Sequence, residues 1–447
     1  MPFRSFVSPL LVLLFAIPRL LAEEPAVGAR PWLELEPVWS GHPVGFCLLS
    51  HPPYQFAAYY DAARRMTVAR RRLGETGWSF TRLPSTLGWD SHNDVTMAVD
   101  RDGHLHVSGN MHGVPLVYFR TNRAGDPESL EPAAMTGDRE RRVTYPVFLR
   151  DQAGRLVFRY RDGGSGNGDD LYNVYDERTR SWSRLVNGPL LSGEGKRNAY
   201  ATTPVRGPDG RFHMVWVWRD TPDCATNHHL SYARSDDLVR WTDSAGRPLR
   251  LPITLATGDV IDPVPPRGGL LNVNRRLGFD NAGRPVITYH KNDAAGDLQI
   301  YAARREADGW VIRQVSNWTG YRWDFSGGGS IIVEVHVGEV RPLGGGRLAL
   351  DYRYPKGSGT WVLNEATLAP IPGGKVPTLA QAGPPAAAWP AAPAFPGMER
   401  RRAGDLGDPA DGREYFLTWH SLPAHRDRPR EGPPPPPAAL RLLWRSS

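Results

Sequence analysis

The chain has 447 residues, 40% of them hydrophobic and 10% aromatic, and a formal net charge of +7. That length and apolar content suffice for a sizeable core and exclude a disulfide-stapled scaffold, since Cys47 and Cys224 allow one bridge at most. The positive charge suits an anionic partner. With no helical nucleic-acid motif and no arginine-rich arm beside it, an anionic polysaccharide is expected and nucleic acid is not.

The chain opens on "MPFRSFVSPLLVLLFAIPRLLAEEP". Arg4, a short apolar run and a small residue, Ala22, before an acidic start mark residues 1–22 as a secretory signal peptide. The run is too short to span a bilayer, and no later one is long enough. Residues 23–447 are therefore expected as one exported soluble domain, secreted or periplasmic, working as a monomer without contact to a membrane.

Strand signals follow in repeating order. "WLELEPVW" is an isolated strand, and "GFCLLS…QFAAYYDAARRMTVARR…WSF" is a first unit. Hairpins then recur, with turn glycines at Gly103, Gly154, Gly210, Gly283, Gly346 and Gly412. Outer strands such as "LVYFRTNRAGD", "LYNVYDERTRSW" and "LSYARSDDLVRW" come after most of them. The turns from Gly103 to Gly346 are spaced by 51 to 73 residues. Two inner and two outer strands per unit of that size predict an all-β, seven-bladed β-propeller of four-stranded antiparallel blades. A Pro/Ala-rich insertion at about 373–398 precedes the last blade, and the N-terminal strand is expected to close the ring.

The stretch "WDSHNDVTMAVDRDGHLHVSGNMH" places His92 and His112 at the open ends of the hairpin around Gly103. Tyr145 and Arg161 flank Gly154 in the same way, Tyr200 and Arg219 flank Gly210, and Asn272 and His290 flank Gly283. His112, Arg161, Arg219 and His290 all lie an odd number of residues past their glycine, so the period of two puts them on equivalent faces. Four neighbouring blades then present these groups around one mouth. His106 and His213 occupy matching positions near their turns and are read as structural.

The set combines titratable His and Tyr with Arg and holds no matched pair of carboxylates, which ordinary glycoside hydrolysis requires. Lyase chemistry fits it better. Arg neutralises a uronate carboxylate, and Tyr or His removes the adjacent C5 proton and protonates the leaving oxygen. A non-catalytic glycan-binding propeller and a sialidase-like hydrolase are the alternatives. "SDDLVRW" lacks the glycine of an Asp-box, which weakens the latter.

The stretches "WDSHN…HVSGNMH", "TYPVF…YRDGGSGNGD", "NAY" and "WVWRDTPD…NH" resemble the seven-bladed propeller ulvan lyases and their BNR-repeat relatives, from about residue 40 to 430. The resemblance implies β-elimination at uronate residues of a sulfated algal polysaccharide. Tyr145 matches the catalytic tyrosine, Arg161 the arginine assisting it, and His92 and His112 the paired active-site histidines. Tyr200 and Arg219 match substrate-side residues, and Asn272 and Arg322 are expected to join them. The resemblance also allows a structural Zn²⁺. Cys224 and His228 in "RDTPDCATNHH", with His290 and either His229 or Asp223, are the candidate closed site; no organic cofactor is expected.

Overall fold

The computed structural model describes residues 32–376, 389–391 and 393–446; the signal-peptide segment and most of the Pro/Ala-rich insertion lie outside the described residues. The described chain is all-β. The helical elements in it are two single 3₁₀ turns, Pro127–Ser129 and Cys224–Thr226.

Four-stranded antiparallel sheets follow one another along the sequence. The first joins Cys47–His51, Tyr54–Tyr60, Arg65–Arg72 and Ser79–Thr86 in order. The second joins Val95–Val99, Leu105–Gly109, Tyr118–Thr121 and Leu130–Pro132. Two further units, built on the hairpins Val143–Arg150/Leu156–Gly164 and Asn198–Ala201/Phe212–Arg219, merge into one wide sheet through a parallel contact between Gly168 and Asn198. Another four strands run from Arg276–Phe279 to Gly309–Gln314. The sheet His336–Gly344, Arg347–Tyr354, Gly357–Asn364 has three strands where four are expected. In the last sheet Trp32–Val38 pairs antiparallel with Ala438–Ser446, from Trp32 opposite Leu443 to Val38 opposite Ala438. The two ends of the described chain thus share one sheet.

The expected turn glycines all sit in turns with positive φ, and Gly154 shows why. Asp151 Oδ1 accepts from Arg155 N at 2.9 Å and Oδ2 from Arg155 Nε at 2.7 Å. This clamp closes the hairpin only if the residue before Arg155 turns left-handed, and Gly154 does so at φ 76° without a Cβ penalty. The same clamp recurs at Asp243/Arg247 and Asp280/Arg284.

Apolar clusters are shared between most successive sheets, so these sheets pack on one another. One cluster joins Tyr415 and Leu442 of the last sheet to Leu48 and Tyr59 of the first and Met97 of the second. Others link Tyr118 to Phe158, Tyr172 to Trp216, Tyr232 to Tyr289, and Ile300 to Leu348. This side-by-side stacking of repeated sheets is propeller-like. Buried His106 and His213 hold equivalent places in it. Each ring bonds a tyrosine hydroxyl of its own sheet, Tyr118 at 2.7 Å and Tyr232 at 2.6 Å, and an aspartate near its turn.

Within the wide sheet, Arg159 Nε pairs with Asp170 at 2.9 and 3.0 Å, with both side chains at least nine-tenths buried. Removing one partner strands the other charge. Asp170→Asn should therefore destabilise the protein by about 3–5 kcal/mol in denaturant unfolding. A change below about 1 kcal/mol, the level of an exposed pair, would show that the pair is solvated.

Candidate active site

Most of the expected residues converge at one mouth, by routes that differ in detail. His92 precedes the strand Val95–Val99 and sits in a turn. His112 lies beyond Leu105–Gly109, in the short strand His112–Val114 that pairs with Val143–Arg150 of the next unit. The two rings nevertheless meet, with centroids 4.3 Å apart. Tyr145 faces both histidines, at 5.8 and 6.4 Å, and Tyr200 at 6.2 Å.

Tyr145 is reached through a distorted backbone. The pairing of Val143–Arg150 with Leu156–Gly164 slips between Thr144 and Val147, and Tyr145 inside this bulge has φ +57°. Pro146 has no N–H for the ladder, so a bulge is where a strand tolerates it. A left-handed non-glycine residue costs about 1–3 kcal/mol and persists where surrounding structure enforces it. Here the bulge directs the phenol into the mouth.

Asp90, two residues before His92, holds the histidine pair. Its Oδ1 accepts from His92 N at 2.9 Å and faces His92 Nδ1 at 2.7 Å, while its Oδ2 bonds His112 Nδ1. Asp427, from the loop between Arg413–Ser421 and Ala438–Ser446 of the last sheet, brings a second carboxylate to His92 Nδ1 at 3.4 Å. It also accepts from Ser91 Oγ at 2.7 Å and Ser330 N at 2.8 Å. Burial alone would lower the His92 pKa, but the carboxylates of Asp427 and Asp90 outweigh it and raise it from 6.5 to about 10. His92 is thus an imidazolium at neutral pH. For Asp90, burial opposes ionisation, but the bonds from His112 and His92 hold the carboxyl well below the usual range.

The sign of the linkage follows. A raised His92 pKa contributes stability that is complete below pH 6.5 and lost as pH rises through about 10. Asp427→Asn should shift the His92 titration to lower pH by an NMR-detectable amount and flatten the fall in stability over that window. An unchanged His92 titration would remove Asp427 from this role.

The two phenols share the Arg161 guanidinium, and Arg219 adds a second at Tyr200. Arg161 and Arg219 each donate from Nη1 to the Tyr200 hydroxyl at 3.4 Å, and Arg161 Cζ lies 4.9 Å from the Tyr145 ring centroid. Arg161 is 4% exposed and its Nη2 donates to Thr144 Oγ1 at 3.0 Å. These contacts hold its charge beside both phenols, and its Nε is buried without a partner. Burial and the neighbouring Tyr200 push the Tyr145 phenol above its ordinary value. Burial would raise Tyr200 as well, but Arg161 and Arg219 outweigh it and hold this phenol below its ordinary value.

His92, Tyr145, Arg161, Tyr200 and Asn272 line one cavity of about 330 Å³, and Arg219 borders it through Tyr200. Asp94, the Arg159–Asp170 pair, Asn198 and Arg275 also line it. Sequence reasoning missed Asp90, Asp427 and Arg275. Only Asp90 had a local signal, an aspartate two residues before a histidine.

Two expected members lie elsewhere. His290 is fully buried beside Trp323 and Phe325; its Nδ1 bonds the Gly269 carbonyl at 2.6 Å and its Nε2 meets Asn274 Nδ2 at 3.0 Å. Arg322 is exposed and donates to the Ala295 carbonyl, in a separate cleft with Trp323 and His425. The candidate zinc ligands do not fit a metal as arranged. His290 has both ring nitrogens engaged, and His228 Nε2 bonds Asp220 at 3.0 Å. Among the described residues, the one group of three or more potential ligands that converges is Asp90, His92 and His112. Cys47 and Cys224 are both buried and free, so the possible disulfide does not form.

Repeated sheets with one shared polar mouth define a propeller-like repeat protein. The chain belongs to the BNR repeat-containing family, whose model matches residues 54–318. Among solved structures it is similar to polysaccharide lyase Uly1, with TM-score 0.57 and 13% identity over 93% of this chain and 98% of that one. It is also similar to the PL25 ulvan lyase, solved alone and bound to -[GlcA(1-4)Rha3S]-, with TM-score 0.58 and 12% identity over 92% of this chain and 97% of that one. At such identity these likenesses show the fold. A stretch of 65 residues is 38% identical to the long isoform of ulvan lyase from Glaciecola sp. (strain KUL10). That match takes in 13% of this chain, which spans only 6% of the relative's length.

Proposed function

We propose that this protein is a polysaccharide lyase that cleaves a uronate-containing, sulfated polysaccharide by β-elimination at the mouth of a closed seven-bladed propeller. The observation that carries this reading is the Tyr145–Tyr200 pair, with Arg161 against both phenols and Arg219 on Tyr200, facing His92 across one cavity.

The His92 imidazolium and the guanidiniums of the cavity supply positive charge for the uronate carboxylate, which makes the C5 proton more acidic. Held as a cation, His92 is unsuited to accept that proton. Tyr200 receives a hydrogen bond from each of two arginines and is the phenol that ionises more readily; its phenolate takes the C5 proton. The C4–O bond then breaks and a double bond forms between C4 and C5. Tyr145, which keeps its proton, protonates the departing oxygen. One proton passed from Tyr200 to Tyr145 restores the pair. Charge developing on the carboxylate side is stabilised by donors already in place, which is where electrostatic catalysis gains most.

Hydrolysis by paired carboxylates is disfavoured. Of the two carboxylates lining the cavity, Asp170 is tied to Arg159, leaving Asp94 without a free partner. In the proposal, the chain after residue 22 is a single exported domain acting as a monomer, and Trp32–Val38 closes the ring through its pairing with Ala438–Ser446.

An absorbance screen over ulvan, heparinoids, alginate and pectin tests the reading. A lyase releases a 4,5-unsaturated uronate that absorbs at short ultraviolet wavelengths, and the polymer that yields it names the substrate. New reducing ends without that absorbance would indicate a hydrolase. Binding with no product would indicate a glycan-binding propeller.

A further inference from the structure

Arg275 lies just before the strand Arg276–Phe279, is 8% exposed and lines the same cavity as Tyr145 and Tyr200. No carboxylate comes within ion-pair distance of its guanidinium among the described residues, and its Nε is buried without a hydrogen-bond partner. That is unusual for a cation, because burying an unpaired charge is among the costliest things a fold can do. The other buried arginines of the cavity have side-chain partners: Arg159 pairs with Asp170, and Arg161, whose Nε is also unpaired, donates from its terminal nitrogens to Tyr200 and Thr144, whereas the Arg275 guanidinium makes no side-chain hydrogen bond among the described residues. Asn198, which lines the same cavity, is 1% exposed, and both its side-chain nitrogen and oxygen lack partners. Three guanidiniums line the cavity against the carboxylates of Asp94 and Asp170. Burial, with Arg276 and Arg159 adding to it, lowers the Arg275 pKa to about 9, so the group is still a cation at neutral pH.

We infer that Arg275, with Asn198 in the same cavity, is a preformed seat for an oxyanion of the ligand, either the carboxylate of a uronate or the sulfate ester of its neighbour. The guanidinium offers the planar fork that matches both anions, and Asn198 offers an amide N–H and a carbonyl for adjacent oxygens or hydroxyls. The missing counter-charge is then supplied by the ligand. A neutral sugar leaves the cation stranded and is rejected, so the seat also sets specificity. The inference rests on the lyase reading only for the identity of the sugar.

The experiment titrates the full-length protein with sodium glucuronate and, separately, with a neutral monosaccharide carrying one sulfate ester. Neutral glucose is the control, and calorimetry and thermal shift are the readouts. At least one anion should bind saturably and raise Tm, and Arg275→Gln should weaken it by about tenfold or more, the loss expected for one charge-assisted contact. Glucuronate alone would assign a carboxylate seat and the sulfate ester alone a sulfate seat; either supports the inference. Arg275→Lys is the second variant, in case the glutamine form does not fold. It keeps the charge without the fork, so it should fold and bind more weakly than wild type. Equal binding by wild type and both variants would overturn the inference, as would no saturable binding of either anion. Anion binding through Arg275 without any unsaturated product would sink the lyase reading and leave this one standing. Unsaturated product made equally well by wild type and Arg275→Gln, with unchanged anion binding, would do the reverse.

Discussion

Tyr145→Phe should lose turnover by about 10²–10⁴-fold, the usual contribution of a general acid or base, while the protein stays folded and still binds polymer. The substitution removes one oxygen and keeps the ring, so the contacts with His92, His112 and Tyr200 survive. The strained backbone at φ +57° is unaffected, because phenylalanine meets the same constraint. What disappears is the proton for the leaving oxygen. The loss should therefore fall on kcat, with KM little changed. A less basic leaving group should partly rescue the variant. Retention of more than about a tenth of wild-type kcat would remove Tyr145 from the mechanism.

Arg161→Lys is the second large effect. Arg161 reaches Tyr200, Thr144 and the face of Tyr145 from one planar group, and lysine keeps the charge but cannot make all three contacts. A fall in kcat of about 10²-fold is expected, similar to removing one preorganised donor from a developing charge. The pH profile should move as well. Arg161 helps hold the Tyr200 phenol below its ordinary value, so weakening that contact raises the Tyr200 pKa. Less phenolate is then present at a given pH, and the rising limb of the rate profile shifts to higher pH. Arg161→Ala should shift it further. Wild-type kcat together with an unmoved profile would show that Arg161 only fills space.

Much of this site was legible in the sequence because hairpin geometry is local. A turn glycine and a strand period of two bring Tyr145 together with Arg161 and Tyr200 with Arg219, and the structure keeps both pairs. His290 obeys the same spacing yet is not at the mouth. Alternation gives the face of a strand, whereas burial depends on what covers that face; here the Gly269 carbonyl and the loop of Trp323 and Phe325 do so. His112 reaches the mouth from a short strand paired with the next unit, which no single-hairpin argument predicts. Asp427 lies hundreds of residues from His92 and meets it only because the last sheet packs beside the first two. Arg275 could not be read at all. Its interest is the lack of a partner, and that becomes visible only when every neighbour is in place.

The most direct test of β-elimination is the proton NMR spectrum of a complete digest of the polymer that passes the absorbance screen. Elimination predicts one vinyl proton, from C4 of an unsaturated uronate, for every new reducing end, and no vinyl signal from the Tyr145→Phe protein. New reducing ends with no vinyl proton would mean that water had cleaved the bond, and would contradict the mechanism.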